Sequence, residues 1–214
     1  MSGAAPSRRR RSRASVRPYR RSDDAGLAEV CLRTAADGED ATDRYTHAGL
    51  PGAVYAVPYV RFEPDLCLVV DDGTRAGRVS GYVLGTSDTV AFEQWCERAW
   101  WPDVRRRFPL AEQAPASPDE ALARLADRPR STPRHVTDRY PAHLHVDLLP
   151  AVQGEGWGRR LLERFFVAAA AAGAGGVHLG VSTANHQAVA FYARLGFHLV
   201  ERTDEALVLG RPLP

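Results

Sequence analysis

The sequence predicts a single α/β domain on a central mixed, mostly antiparallel sheet flanked by helices. Three observations predict it. A chain of 214 residues with 44% hydrophobic content supports one substantial core but not two large domains. Its second half alternates strand and helix signals. Two apolar runs are joined by Asp71-Asp72-Gly73, and two more close the chain, as hairpins require.

In order, residues 1–14 are polar, arginine-rich and without periodicity, and predict a disordered tail; residues 15–214 form the domain. Ser15 to Arg20 reads as a first strand. Asp23 and Asp24 begin a helix carrying Leu27, Val30, Cys31 and Ala35, expected to stop near Gly38. The Pro51-Gly52 turn signal marks a loop before a second short helix. Leu66 to Val70 and Arg78 to Leu84 read as paired strands.

Residues 88–141 interrupt this pattern as a helical insertion, with a helix from Val90 to Phe108 and a shorter one from Pro118 to Asp127. Its aromatic content, Trp95, Trp100 and Trp101, predicts that it folds onto the body. Ala142 to Leu149 is a strand. Trp157 to Ala171 places Leu161, Leu162, Phe165, Phe166 and Ala169 on one helical face. Val177, Leu179 and Val181 alternate as a strand, and Asn185 caps a helix running to about Leu195, where Gly196 stops it. Phe197 to Glu201 and Ala206 to Leu209 form the last hairpin.

Composition excludes several function classes. The formal charge of +2 conceals eight arginines, Arg8 to Arg21, ahead of the first acidic residue. The remainder is net acidic and offers no nucleic-acid footprint, so any such contact is confined to the tail. All 28 basic residues are arginine, a bias that with abundant Ala, Gly and Pro suggests a GC-rich bacterial genome. Cys31, Cys67 and Cys96 are widely spaced and imply neither a disulfide framework nor a metal site. No signal peptide or membrane span is visible, so a cytoplasmic protein is expected.

The stretch that organises the chain is Leu148-Leu149-Pro150-Ala151-Val152-Gln153-Gly154-Glu155-Gly156-Trp157-Gly158-Arg159-Arg160. A strand runs into alternating glycines and then a helix whose first N–H groups and positive dipole end suit an anion. The spacing is not GxGxxG, and without lysine the chain cannot form a P-loop.

What remains is Gln153-x-x-Gly156-x-Gly158 between strand and helix. It resembles the acyl-CoA-binding motif of the GNAT superfamily of N-acetyltransferases, and Asn185-His186-Gln187-Ala188-Val189-Ala190-Phe191-Tyr192-Ala193-Arg194-Leu195-Gly196-Phe197 is similar to the second half of that signature. More narrowly, Tyr140 to Pro150 with Gly81-Tyr82-Val83-Leu84-Gly85, Asp88-Thr89 and Trp100-Trp101-Pro102 resembles bacterial relatives of the acetyltransferase-like domain attached to eukaryotic O-GlcNAcase. Glu155 departs from the pattern, where the family often has a basic residue.

The resemblance implies a GNAT fold, splayed between its fourth and fifth strands, those ending at Leu149 and Ser182. It implies an N-acetyltransferase that moves an acetyl group from acetyl-CoA to a primary amine by direct attack. Leu148, Leu149, Gln153, Gly154, Gly156, Trp157, Gly158, Arg159, Asn185 and Tyr192 would then bind acetyl-CoA, with the Leu148 and Leu149 amides polarising the thioester carbonyl. Tyr192 would be the acid that protonates the leaving thiolate.

For the base, an extended strand puts His143, His145 and Asp147 on one face, and Asp147 or His145 is expected to handle the amine. His178 and His186 read as surface or helix-start residues. Acceptor binding is assigned to Tyr82, Asp88, Trp100 and Trp101, from a pool that includes Tyr55 and Tyr59. The competing reading is a catalytically silent module that binds acyl-CoA or docks a partner. The acceptor stays open among amino sugars, aminoglycosides, polyamines and peptide or protein amines, and the assembly between monomer and homodimer.

Overall fold

The computed structural model describes residues 14–74, 78–112, 114–129, 131–204 and 206–214. Apart from Ala14, the expected tail lies outside the described residues. The first part of the chain forms β1 (Ser15–Pro18), α1 (Asp24–Leu32), α2 (Leu50–Tyr55), α3 (Val57–Phe62), β2 (Leu68–Asp71) and β3 (Val79–Thr86). The insertion supplies α4 (Thr89–Trp95), α5 (Trp101–Arg107), α6 (Pro118–Asp127) and α7 (Arg134–Thr137). There follow β4 (Ala142–Leu148), α8 (Trp157–Ala171), β5 (Gly176–Ser182), α9 (His186–Ala193), β6 (His198–Arg202) and β7 (Ala206–Pro212).

These strands form one sheet of order β1-β2-β3-β4-β5-β7-β6, antiparallel except between β4 and β5. Alternation along each strand divides the core in two. On one face Val69, Tyr82 and Leu84 pack under α1 to α6; on the other Val70, Val83 and Leu144 pack under α8 and α9. Helix α8 spans the residues its apolar stripe predicts, with Leu161, Leu162 and Phe165 fully buried.

Three expectations are corrected. Pro51 does not precede a helix as a loop; it sits in the first turn of α2, where its missing N–H costs nothing, and a further helix, α3, follows. Helix α1 ends at Leu32, short of Gly38, and the chain then forms a tight turn with Asp37 and Gly38 both at positive φ. The helix expected from Val90 to Phe108 is broken by a π-helical segment, Cys96–Trp100. Pro102 has no N–H to return to the preceding turn, which accounts for the local change of register.

The insertion is tied down by polar contacts. Asp119 at the start of α6 is buried and accepts from the Thr46 and His47 amides, both at 2.9 Å. Trp100 Nε1 donates at 2.8 Å to the Ala53 carbonyl, one of the orphan carbonyls that end the short helix α2. No helix among the described residues is long and apolar enough to cross a membrane.

Candidate functional site

The site begins where β4 and β5 part. Their parallel pairing consists of Ala142↔Val177 and His143↔His178. Beyond that point β5 remains bonded to β7 as far as Ser182↔Ala206, and β4 remains bonded to β3 as far as Gly81↔Leu148. A wedge therefore opens between two otherwise complete half-sheets, as the resemblance implied.

Which backbone groups face the wedge follows from the ladder. The Leu149 amide donates to the Ser80 carbonyl at 2.9 Å, so in antiparallel alternation Asp147 and His145 also direct their amides at β3. Val146 and Leu148 direct theirs the other way, into the wedge, where β5 no longer pairs with them. This corrects one expectation, because the Leu149 amide is already engaged and Leu148 with Val146 is the splayed pair. The Leu148 carbonyl, facing the same way, accepts from Gln153 Nε2 at 2.8 Å. Gln153 thus braces the turn with its side chain, and its own amide donates to Pro150.

The glycine turn presents amides in the same place. Gly154 and Gly156 have φ of 76° and 81°, a conformation that costs other L-residues on the order of 1–2 kcal/mol. Gly156 is the N-cap of α8 and offers no capping side chain. Among the described residues, no hydrogen bond engages the amides of 154 to 159. An added Cβ on Gly158 would lie 3.2 Å from Phe191 Cζ and 3.5 Å from Leu148 Cδ1, which places the α8 start against both the β4 end and α9.

The charged residues of the turn are partly committed. Glu155 accepts from Trp157 Nε1 at 3.1 Å, and the Trp157 ring is itself buried in the core, leaving its backbone amide for an anion. Arg159 pairs with Glu163 one turn along the helix at 2.7 Å, an exposed pair that would yield readily to a stronger anion. Arg160 lies over the Trp157 ring at 4.6 Å.

Asn185 caps α9, its Oδ1 accepting from the Ala188 amide at 3.0 Å. Its Nδ2 donates at 3.2 Å to the Asp37 carbonyl, at the tip of the turn after α1, so that turn reaches across to the wedge. Tyr192 follows two helical turns later with only 8% of its surface exposed. Burial, and then the Asp147 charge, push its phenol above the ordinary value, so it is protonated at neutral pH. Among the described residues nothing hydrogen-bonds its hydroxyl, yet that oxygen is not sealed from solvent.

On the opposite face, His143, His145 and Asp147 project together as expected, but into three different environments. The Thr89 hydroxyl donates to Pro141 O at 2.6 Å, so it accepts from His143 Nδ1–H at 2.8 Å. His143 Nε2 then accepts from the Tyr59 hydroxyl at 2.7 Å. Burial first, then His178 and His145, lower its pKa, and His143 is a neutral core residue. His178 corrects another expectation: it is buried, with Nδ1 at 2.8 Å from Tyr140 O, while His186 is exposed at the start of α9 as expected.

His145 packs against the rings of Tyr55 and Tyr59, centroids 5.7 and 5.4 Å away, and desolvation lowers its pKa to about 4. It is neutral at pH 7, and no hydrogen bond among the described residues occupies its ring nitrogens. Asp147 Oδ2 accepts from the Tyr82 hydroxyl at 2.7 Å. Desolvation raises the Asp147 pKa, opposed by hydrogen bonding from Tyr82 and then Thr34.

The acceptor pool is rearranged. Asp88 is the N-cap of α4, accepting from the Ala91 amide at 3.0 Å. Trp101 is buried in the core, and Trp100 spends its N–H on Ala53 while stacking on Trp95 at 6.2 Å. Asp88 thus caps an insertion helix, while Trp100 and Trp101 pack the insertion onto the body. Tyr82, fully buried, touches Asp147 instead of facing an acceptor. Residue-by-residue reading missed Asp37, whose contact with Asn185 spans 148 positions.

Comparison with known proteins agrees with this geometry. The sequence model of the acetyltransferase (GNAT) domain matches residues 130–199, from the approach to β4 through α9. The crystal structure of SsHAT is 43% identical, covers 94% of this chain and 98% of its own, and superposes with a TM-score of 0.87. Two more distant structures share the fold. Naa20 of Chaetomium thermophilum, in complex with a bisubstrate analogue, is 23% identical over 93% of this chain and 86% of its own, at TM-score 0.54. Salmonella typhimurium yncA, solved with its cofactor acetyl-CoA, is 18% identical over 94% of each chain, at 0.55. Given the matched domain and a 43% identical relative spanning nearly the whole chain, the protein belongs to the GNAT superfamily of acetyltransferases.

Proposed function

We propose that this protein moves an acetyl group from acetyl-CoA to a primary amine by direct attack. The observation that carries the reading is the convergence of unpaired amides. Those of Val146 and Leu148 point into the wedge, and those of 154 to 159 are gathered at the start of α8 beside it. The first pair suits a pantetheine arm and a thioester carbonyl, the second a pyrophosphate. The acetyl-CoA bound by yncA supports the same donor here.

In the proposed reaction Asp147, with His145 as the second candidate, takes the proton that the amine loses as its nitrogen bonds to the thioester carbon. The Leu148 amide stabilises the oxyanion. Tyr192 donates its proton to sulfur as the C–S bond breaks, giving an amide and free coenzyme A. Asp147 is the first candidate because burial raises its carboxyl pKa, whereas burial lowers the imidazole of His145 to about 4.

A thiol-release screen with acetyl-CoA against an amine library tests this. Tyr192→Phe is expected to lower kcat about 100-fold with little change in acetyl-CoA affinity. Full turnover by that variant would remove Tyr192 as the acid. Binding without turnover on any amine would favour the silent acyl-CoA-binding module.

A further inference from the structure

Resting on the acyl-transfer reading above, we propose that Tyr82 is a positioning residue that holds Asp147 in place and sets the proton affinity of that carboxyl group. Tyr82 and Asp147 are direct cross-strand partners in the β3–β4 register. The Leu149 to Ser80 bond two residues away makes theirs a hydrogen-bonded pair, so the ladder fixes both Cβ positions before any side-chain contact forms. The phenol then reaches Asp147 Oδ2 at 2.7 Å.

Neither partner has an alternative of equal strength. Tyr82 has no exposed surface, so its hydroxyl must be satisfied inside the protein. The groups that interact with the carboxyl group are uncharged at neutral pH: Tyr82 from β3, Thr34 just beyond α1, Cys31 from α1 and, through the splay, Tyr192 from α9. Neutral His145 shares its face two residues back along β4, beside Tyr55 of α2. Thr34 already donates to Val30 O at 2.8 Å. The burial of Cys31 pushes its thiol up to about 12, so it carries no charge at neutral pH. Among the described residues no arginine pairs with Asp147. Desolvation therefore works to protonate the carboxyl, and the Tyr82 hydroxyl is the largest effect opposing it.

The sign is fixed by that opposition. Removing the hydroxyl leaves desolvation less opposed, so the Asp147 pKa rises. If Asp147 is the base, the acid limb of kcat/KM moves to higher pH. The Asp147 carboxyl carbon, identified by its loss in Asp147→Asn, is titrated by 13C NMR in the full chain, in wild type and in Tyr82→Phe. The pH profile of thiol release is measured alongside.

The expected result in Tyr82→Phe is a carboxyl midpoint about one pH unit higher and an acid limb that follows it, with KM for acetyl-CoA unchanged. Placing 3-fluorotyrosine at position 82, a stronger donor of the same shape, is expected to move both the other way, which keeps the test decisive if Tyr82→Phe folds poorly. An unmoved carboxyl midpoint overturns the proposal. A midpoint that moves while the limb stays upholds the hold of Tyr82 on Asp147 and removes Asp147 as the base. Should no amine be acetylated, the NMR titration still decides.

Discussion

At the residue scale, the site is made by placing polar groups where water is scarce and then satisfying them unequally. His143 has both ring nitrogens bonded, Asp147 has a phenol on one oxygen, and the nitrogens of His145 bond nothing among the described residues. That gradient separates a histidine bonded at both nitrogens from neighbours on the same face that are bonded less completely. It also has a thermodynamic consequence. Burial lowers the pKa of His143, His145 and His178, so below about pH 6.5 the unfolded chain binds protons that the folded chain refuses. The stability these groups allow is complete above that value and is lost as pH falls toward about 4, the His145 value. Asp147 has the opposite sign, since its raised pKa favours the protonated fold as pH falls, but it is one group against three. Urea unfolding is expected to be easier at pH 5 than at pH 7, by on the order of a few kcal/mol, with His145→Asn reducing the difference. A pH-independent midpoint would count against buried neutral imidazoles.

At the element scale, the glycine turn and the end of β4 act together. The turn leaves amides unpaired because Gly154 and Gly156 adopt positive φ, and the strand leaves amides unpaired because β5 departs. Gly156→Ala is expected to destabilise the fold by about 1–2 kcal/mol and to weaken acetyl-CoA binding at least tenfold, because the turn relaxes away from the geometry that gathers its donors. Calorimetry with thermal unfolding checks both, and unchanged affinity would mean that the turn holds no phosphate. Much of this was legible in the sequence, because glycine spacing, the Asn185 cap and the α8 stripe are local patterns. What was not legible depends on register. That Leu149 bonds Ser80, that Tyr82 faces Asp147 and that Asp37 meets Asn185 are pairings across 65 or more positions, and no local pattern records them.

At the scale of the whole molecule, the insertion between β3 and β4 acts as a buttress. Trp100 satisfies α2, Asp119 satisfies the segment before it, and Trp101 fills the core beneath. The sequence placed this segment correctly and implied that its aromatics pack, but the same rings also suggested an acceptor site, because an indole looks alike in a core and in a cleft until its partner is known. Trp100→Phe is expected to cost about 1 kcal/mol by stranding the Ala53 carbonyl, while leaving acetyl-CoA affinity intact. A stable variant with altered acceptor KM would return Trp100 to the substrate site.

The sheet holds its two halves apart beyond the short β4–β5 pairing, where an acyl-CoA would lie. Isothermal titration of acetyl-CoA into the full chain tests that most directly. One saturable site per chain, weakened by Gly156→Ala, is the predicted result, and absence of binding at millimolar acetyl-CoA would contradict it.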